Sequence, residues 1–422
     1  MALSCGAIVG TGAGVSFWSF GILILPLEQE FGWLRGELSG AFSLSWLISG
    51  VVAPFVGRAV DRYGARPLIL GGTLTSGLCF VLLAFTGTLW QFYLFQGLMA
   101  FCRAWMFYIP LSTLITRWFV RQRALALAIF TSGFAVGGVF FVPFLTFVVN
   151  LVGWCWTYLL CGAILYLVVL PLALWVLRSS PHERGLTPDG DPEFPIVGSA
   201  ASAVRQDVLT APEPDPRDLT VREALRTRAF WFIAVGFALT FFTQISFSVH
   251  AIPFFVSRGL TPGASAGVVS ASTALVGLLR IPFGLLIDRT PNIRAIVLFA
   301  IFTQSLSFSV LLFSVEPLAL WAFVLLSGLT GGGMPLLESA LIFRTFGDRH
   351  YGALLGTVGL VETAGVLVGP IAAGAIYDSS GSYSWAIMLF LVTSLLAFSS
   401  FSAFRPRDAR VKSAETLTSV SM

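Results

Sequence analysis

Four ionisable side chains, Arg103, Arg280, Glu338 and Glu362, stand inside long apolar runs of this 422-residue sequence. A charge within a bilayer is costly, so each must face an internal cavity or a partner, and each marks a candidate site. Arg280 offers a planar fork of donors that suits a carboxylate; the other reading is an internal ion pair, with Glu362 as partner. Arg103 is either a second anion contact, which suits a dicarboxylate or larger acid, or half of a fixed pair with Glu362 or a helix end. Glu362 stands among Thr363, Ala364 and Gly365. It could carry a proton between the two sides, unless a partner arginine makes it structural. Glu338 lies within two turns of Arg344 and reads as a structural or gating pair. Tyr108, close to Pro110, is a ligand contact or a packing residue. His250, before Pro253, is a cap for its helix end or a pH-sensing group.

The elements that must position these residues are membrane helices. Hydrophobic residues make up 56% of the chain and charged residues 11%, where soluble domains carry roughly 25% charge. Mean hydropathy is +0.86. Apolar runs of the length that crosses ~30 Å of hydrocarbon predict twelve helices, over about 3–27, 38–56, 67–85, 89–116, 124–149, 154–177, 229–256, 265–287, 293–313, 318–343, 353–376 and 383–404. The first is too long for a signal-peptide core and lacks a basic leader and a cleavage site, so it reads as an uncleaved span. Its Gly10, Gly12 and Gly14 allow a close helix neighbour. Residues 178–228 change abruptly to proline, glycine and alternating charge and read as a linker. Within it, Leu219 to Thr227 has helical spacing and is expected to lie along the membrane surface. Residues 405–422 form a polar tail. The five cysteines, Cys5, Cys79, Cys102, Cys155 and Cys161, have no metal-ligand spacing and read as small packing residues. No cofactor or metal is expected.

The chain repeats itself. Gly57-Arg58-Ala59-Val60-Asp61-Arg62 returns as Gly284-Leu285-Leu286-Ile287-Asp288-Arg289, an offset of 284 − 57 = 227. The same offset pairs Pro26 with Pro253, Gly32 with Gly259, Gly50 with Gly277, Arg117 with Arg344, Gly138 with Gly365 and Pro143 with Pro370. This predicts an all-α membrane protein of two six-helix halves in parallel repeat, 1–177 and 229–404. Arg58, Arg62, Arg66, Arg117, Arg121, Arg123, Arg289, Arg294, Arg344 and Arg349 fall on connections of one side, against Arg35 and Arg258 on the other. Both termini and the linker are therefore expected to be cytoplasmic.

Twelve helices, a 6+6 repeat, a central linker and Gly-x-x-x-Asp-Arg after the second and eighth helices resemble the major facilitator superfamily. The sequences Pro26-Leu27-Glu28-Gln29-Glu30-Phe31-Gly32-Trp33, Arg117-Trp118-Phe119, His250-Ala251-Ile252-Pro253, Arg280-Ile281-Pro282-Phe283-Gly284 and Glu223-Ala224-Leu225-Arg226-Thr227-Arg228-Ala229-Phe230-Trp231 resemble its monocarboxylate-transporter branch, including bacterial oxalate/formate-type members. The resemblance implies that Gly57, Asp61, Arg62, Gly284, Asp288 and Arg289 form cytoplasmic gate latches. Asp61 and Asp288 also oppose their own helix dipoles, so each should meet another helix N-terminus or an arginine. Two departures stand out. Members usually carry a Gly-Trp segment before the first helix, which Met1 nearly opens here. Animal members carry a lysine where Trp18 and Ser19 stand and an aspartate where Val276 stands, so that pair's coupling scheme does not carry over.

The expected function is transport of a small organic acid, mono- or dicarboxylate, across the cell membrane by symport with protons or antiport with another anion. The expected binding residues are Arg280, Arg103 and Tyr108, and the proton-coupling candidate is Glu362. The expected surroundings are a lipid bilayer and a monomeric state, with no nucleic acid. Export of amphipathic compounds by the same fold is the other transport reading, against which two intramembrane arginines weigh for cationic compounds. No catalytic set is apparent: no metal-spaced histidines, no Gly-x-Ser-x-Gly and no nucleotide loop. Linker and tail are too short and polar for a soluble sensor domain.

Overall fold

The computed structural model describes residues 1–119, 123–178, 219–290, 292–347 and 350–404, which are helical apart from short turns. Most of the linker and the tail thus lie outside the described residues. Among the described residues, eleven continuous stretches are long and apolar enough to cross a membrane. One of them, Ile129–Val176, has 48 residues, about twice what a bilayer needs. It breaks at Gly153, whose φ of 82° is open to glycine and strained for other residues. That break makes twelve crossings. We number them α1 (Ala2–Phe31), α2 (Arg35–Tyr63), α3 (Ala65–Ala84), α4 (Leu89–Ile115), α5 (123–152), α6 (154–176), α7 (Arg228–Ser257), α8 (Pro262–Arg289), α9 (Ile293–Phe313), α10 (Pro317–Phe346), α11 (Tyr351–Ser380) and α12 (Ser384–Ala403).

The 227-residue offset reappears in backbone shape. Gly32 and Gly259 close α1 and α7 with φ of 68° and 94°. Pro26 and Pro253 stand inside the same two helices, and Pro143 and Pro370 inside α5 and α11. A correspondence invisible in residue identity also emerges. α4 is interrupted after Ala104 and α10 after Gly331, and 331 − 104 = 227. Each helix resumes within a few residues, at Tyr108 and Met334. Discontinuous helices of this kind free backbone groups near the centre of transporter folds.

Glycines set the tightest crossings. A Cβ on Gly10 would lie 2.7 Å from the Gly133 carbonyl oxygen, while Cβ atoms on Gly133 and Gly137 would overlap the Gly6 and Gly10 backbones. α1 and α5 therefore cross backbone to backbone, as small-residue faces permit. The equivalent crossing of α7 and α11 places Gly365 on Ala238 and Gly369 on Phe242 and Ser246.

The two ends of the bundle differ. On the side away from the linker, α2 and α11 close against each other. A Cβ on Gly374 would meet the Gly36 backbone nitrogen at 2.6 Å. Asp378 of α11 accepts from the backbone N–H groups of Arg35 (3.0 Å) and Gly36 (2.7 Å), capping α2 from the other half. The Arg35 guanidinium lies 3.7 Å from the Tyr377 ring centre and pairs with Glu28 at 2.9 Å. His250 bridges the halves as well. It contacts Ser39 Oγ at 3.0 Å, the Pro370 carbonyl at 2.9 Å and the Tyr383 hydroxyl at 2.9 Å. The expected cap for its own helix end is thus a link between α2, α7, α11 and the start of α12. Toward the linker side, Gly50 and Gly57 of α2, Gly284 of α8 and Gly352, Gly356 and Gly359 of α11 have no neighbour within 4 Å of a built Cβ. The halves are closed against each other on the far side by these contacts.

Several linker-side arginines cap helix ends. Arg344, expected to pair with Glu338, donates to the carbonyls of Ile287 (2.6 Å) and Thr290 (2.7 Å) at the end of α8. Arg294 donates to Phe401 and Ser402 at the end of α12, and Arg66 to Leu174 in α6. A cation suits a helix C-terminus, so this side's arginines also have a local structural cause. The expected surface helix after the linker is a single turn, Val221–Ala224. Thr220 and Glu223 cap each other there, and the Thr220 hydroxyl and backbone N–H hold the Glu223 carboxyl below its ordinary range. The turn docks on α10 through Leu219 N–H to the Phe346 carbonyl (3.2 Å). Thr227 then starts α7, which leaves no room for a longer surface helix.

Candidate functional site

Between the halves lies a cavity of about 260 Å³. Its walls come from α1, α2 and α5 of the first half and α7, α8, α9 and α10 of the second. A wide turn at Gly14–Trp18 in α1 places Phe17 and Trp18 together in the wall. Such widened turns recur at functional sites. The Phe134 ring lies tilted against Phe17 with centres 5.1 Å apart, and Trp46, Phe247 and Phe308 continue the aromatic lining. The enclosure is mostly apolar, with a few polar groups that can orient a ligand.

Arg280 is the charged residue in that wall among the described residues. It donates through Nη1 to the Thr131 carbonyl of α5 at 3.0 Å, reaching across to the first half. The expected alternative, an ion pair with Glu362, is not formed. Arg280 has no carboxylate partner among the described residues. Tyr108 opens the second segment of α4, is 57% exposed and lies tilted against Phe130 with ring centres 5.6 Å apart. It stands near Arg280, although it is outside the cavity wall itself.

Glu338 of α10 and Glu362 of α11 lie near each other. Glu338 is 9% exposed, and Glu362 Oε1 is buried without a partner among the described residues. Two neighbouring carboxyls can share a hydrogen bond only when one holds a proton. Arg103 stands apart. It sits one residue before the α4 interruption, its carbonyl takes the Met106 and Phe107 N–H groups (3.1 Å each), and its guanidinium has no partner among the described residues. Neither the pair with Glu362 nor a place in the cavity wall is found for it. The side chains of Asp61 and Asp288 lie outside the described residues. Around them, Gly57 and Gly284 face open space, Arg62 lies 5.2 Å from the Tyr63 ring centre, and Arg289 is exposed.

Sequence reasoning weighed charges and passed over the uncharged polar groups. Gln244 Nε2 donates to Gln304 Oε1 (3.2 Å), and Gln304 Nε2 to Ser394 Oγ (2.9 Å). Ser272 and Ser327 share a 2.6 Å hydrogen bond, and Thr303 and Thr330 one of 3.1 Å. Two glutamines inside apolar runs were the available signal. Trp18 and Val276, where the resembled animal members carry lysine and aspartate, both line the cavity.

Proteins similar in sequence and in fold place the chain in a family. Human monocarboxylate transporter 11 is 25% identical over 396 residues, 88% of this chain and 75% of that protein. The oxalate:formate antiporter of Oxalobacter formigenes is 24% identical over 406 residues, 94% and 89% of the two chains. A fujikurins efflux protein of Gibberella fujikuroi is 32% identical over 153 residues, 35% of this chain and 33% of that one. In fold, the chain superposes on a bacterial homolog of the human lysosomal transporter Spinster, in an inward-facing and occupied conformation, with a TM-score of 0.72 at 14% identity, covering 96% and 97% of the two chains. The Major Facilitator Superfamily profile matches residues 6–316 and 268–419. With twelve apolar helices, a matching repeat in sequence and backbone, and a cavity between the halves, this chain belongs to the Major Facilitator Superfamily and is a multi-pass membrane transporter.

Proposed function

We propose that the protein moves a small organic acid across the membrane by alternating access, with the carboxylate bound at Arg280. The observation that carries this reading is a cationic fork in the cavity wall with no acidic partner among the described residues. One Nη1 hydrogen bond to Thr131 leaves donors for a bound oxyanion. A single positive charge within an aromatic enclosure favours an acid with an apolar body. Tyr108 borders the same neighbourhood, and Arg103, partnerless at the α4 interruption, is a second anion contact along the path. The Glu338–Glu362 pair is the proton-carrying element, since two neighbouring carboxyls can hold one proton and release it. The linker side, rich in arginine, is the cytoplasmic side. The named relatives handle monocarboxylates and oxalate or formate, which supports an acid as cargo.

Substrate-induced thermal shift and calorimetry on purified variants test the anchor. Arg280→Lys keeps the charge but loses the planar fork, so affinity for acids should fall roughly tenfold or more while the protein still folds. Arg280→Ala should abolish acid binding without creating affinity for neutral amides. Unchanged acid affinity in both variants would make Arg280 a structural tie to α5 and remove the proposal. A second reading, efflux of uncharged amphipathic compounds, is favoured by the aromatic wall and by the fungal efflux relative; in that case neutral compounds would bind wild type and Arg280→Ala equally.

A further inference from the structure

A relay of hydrogen bonds sets the polarity of the cavity at Gln244. Ser394 in α12 donates its hydroxyl to the Phe390 carbonyl at 2.7 Å. That donor is spent, so toward Gln304 the Ser394 oxygen can only accept. Gln304 must then present Nε2 to Ser394 and turn Oε1 toward Gln244. Gln304 is 2% exposed and packed in α9, so it cannot swing away. Gln244 in turn must offer Nε2 to Gln304. Its own Oε1 is therefore directed elsewhere: it accepts no hydrogen bond from a described residue and is not a buried atom, in a side chain that lines the cavity. The backbone carbonyl of Phe390 thus fixes, three links away, a free carbonyl acceptor in the cavity wall.

The position of that acceptor matters. Arg280 stands nine residues before Arg289 at the linker-side end of α8, and Gln244 stands sixteen residues after Arg228 at the same end of α7. At ~1.5 Å per residue the two lie on the order of 10 Å apart in depth. The wall that holds both residues also carries the apolar side chains of Phe17, Trp18, Phe134 and Val276, with the hydroxyls of Ser272, Thr273 and Ser327 among them.

Resting on the carboxylate reading of Arg280, we infer that Gln244 is a specificity-determining residue that selects acids carrying a hydrogen-bond donor, a hydroxyl or N–H, separated from the carboxylate by a ring-sized apolar spacer. An acid lacking the donor leaves the Gln244 carbonyl unpaired in an enclosed site and binds less tightly. A methyl ether fails in the same way, because it offers only an acceptor to an acceptor.

The test is calorimetry on the purified full-length protein with para-hydroxyphenylpropanoate, its methyl ether and phenylpropanoate. Wild type should bind the hydroxy acid roughly tenfold more tightly than either of the others. Gln244→Met, close in shape without the carbonyl, should lose the discrimination and bind all three alike. The wild-type comparison of alcohol and ether needs no variant and holds even if Gln244→Met folds poorly. Equal wild-type affinity for alcohol and ether, or a preference that survives in Gln244→Met, overturns the inference and leaves the Arg280 anchor standing. Binding of none of the three acids by wild type overturns both.

Discussion

Removing the Asp378 carboxylate should open the side of the bundle away from the linker. Asp378 of α11 caps α2 across the boundary between the halves, through two backbone N–H groups at 3.0 and 2.7 Å. Those amides are among the orphan donors of a helix start, and a carboxylate there also meets the positive end of the helix dipole. Loss of such a cap costs about 1 kcal/mol and loss of the charge ~0.3–1 kcal/mol. Asp378 is half-buried, so about 1–2 kcal/mol is the reasonable total. Because the contact joins parts that must separate for the far side to open, that energy enters the conformational equilibrium and shifts it by roughly 5–30-fold. The His250 bridge and the Arg35–Tyr377 stack remain, so closure is weakened rather than lost. The assay is the labelling rate of Ser43→Cys by a bulky, membrane-impermeant maleimide, with the native cysteines replaced. Ser43 is 2% exposed, has an unpaired hydroxyl and lies one turn below Ser39 on the closed face of α2. Asp378→Ala should raise that rate by the stated factor, and Asp378→Asn, which keeps one acceptor, by less. An unchanged rate in a folded Asp378→Ala protein would refute the view that this cap holds the halves together.

Two further outcomes are expected. Gly137→Ala drives a Cβ into the Gly10 backbone and should lower thermal stability in detergent by about 1–3 kcal/mol, whereas Gly57→Ala, in open space, should leave it unchanged; equal effects would show that the α1–α5 crossing is not limiting. Glu362→Gln should abolish pH-gradient-driven accumulation in proteoliposomes while substrate exchange persists, and gradient-driven uptake in that variant would return the Glu338–Glu362 pair to a purely structural role.

The helices and their repeat were legible in the sequence because both rest on local rules. A span needs ~20 apolar residues, and prolines and glycines fix backbone shape wherever they stand. Pro26 and Pro253, or Gly32 and Gly259, therefore announced the two halves before any contact was known. Gly10, Gly12 and Gly14 announced a close helix neighbour for the same reason, though not that it would be α5. Arg280 stood out because a charge in a bilayer demands a cause.

Partners are another matter, since they depend on how distant helices rotate toward each other. Nothing in the spacing of Glu338, 24 residues before Glu362, says that the two residues lie near each other, or that Arg344 leaves Glu338 to cap α8. His250 joins residues 120 to 211 positions away in the chain, and its role as a bridge exists only when α2, α7 and α11 are packed. The interruption of α4 matches that of α10 in position but not in residues, because different sequences can release the same backbone groups. The orientation of Gln244 is the furthest from sequence. It is decided by a backbone carbonyl in α12 acting through Ser394 and Gln304, and hydrogen-bond polarity passed between helices has no signature in one dimension.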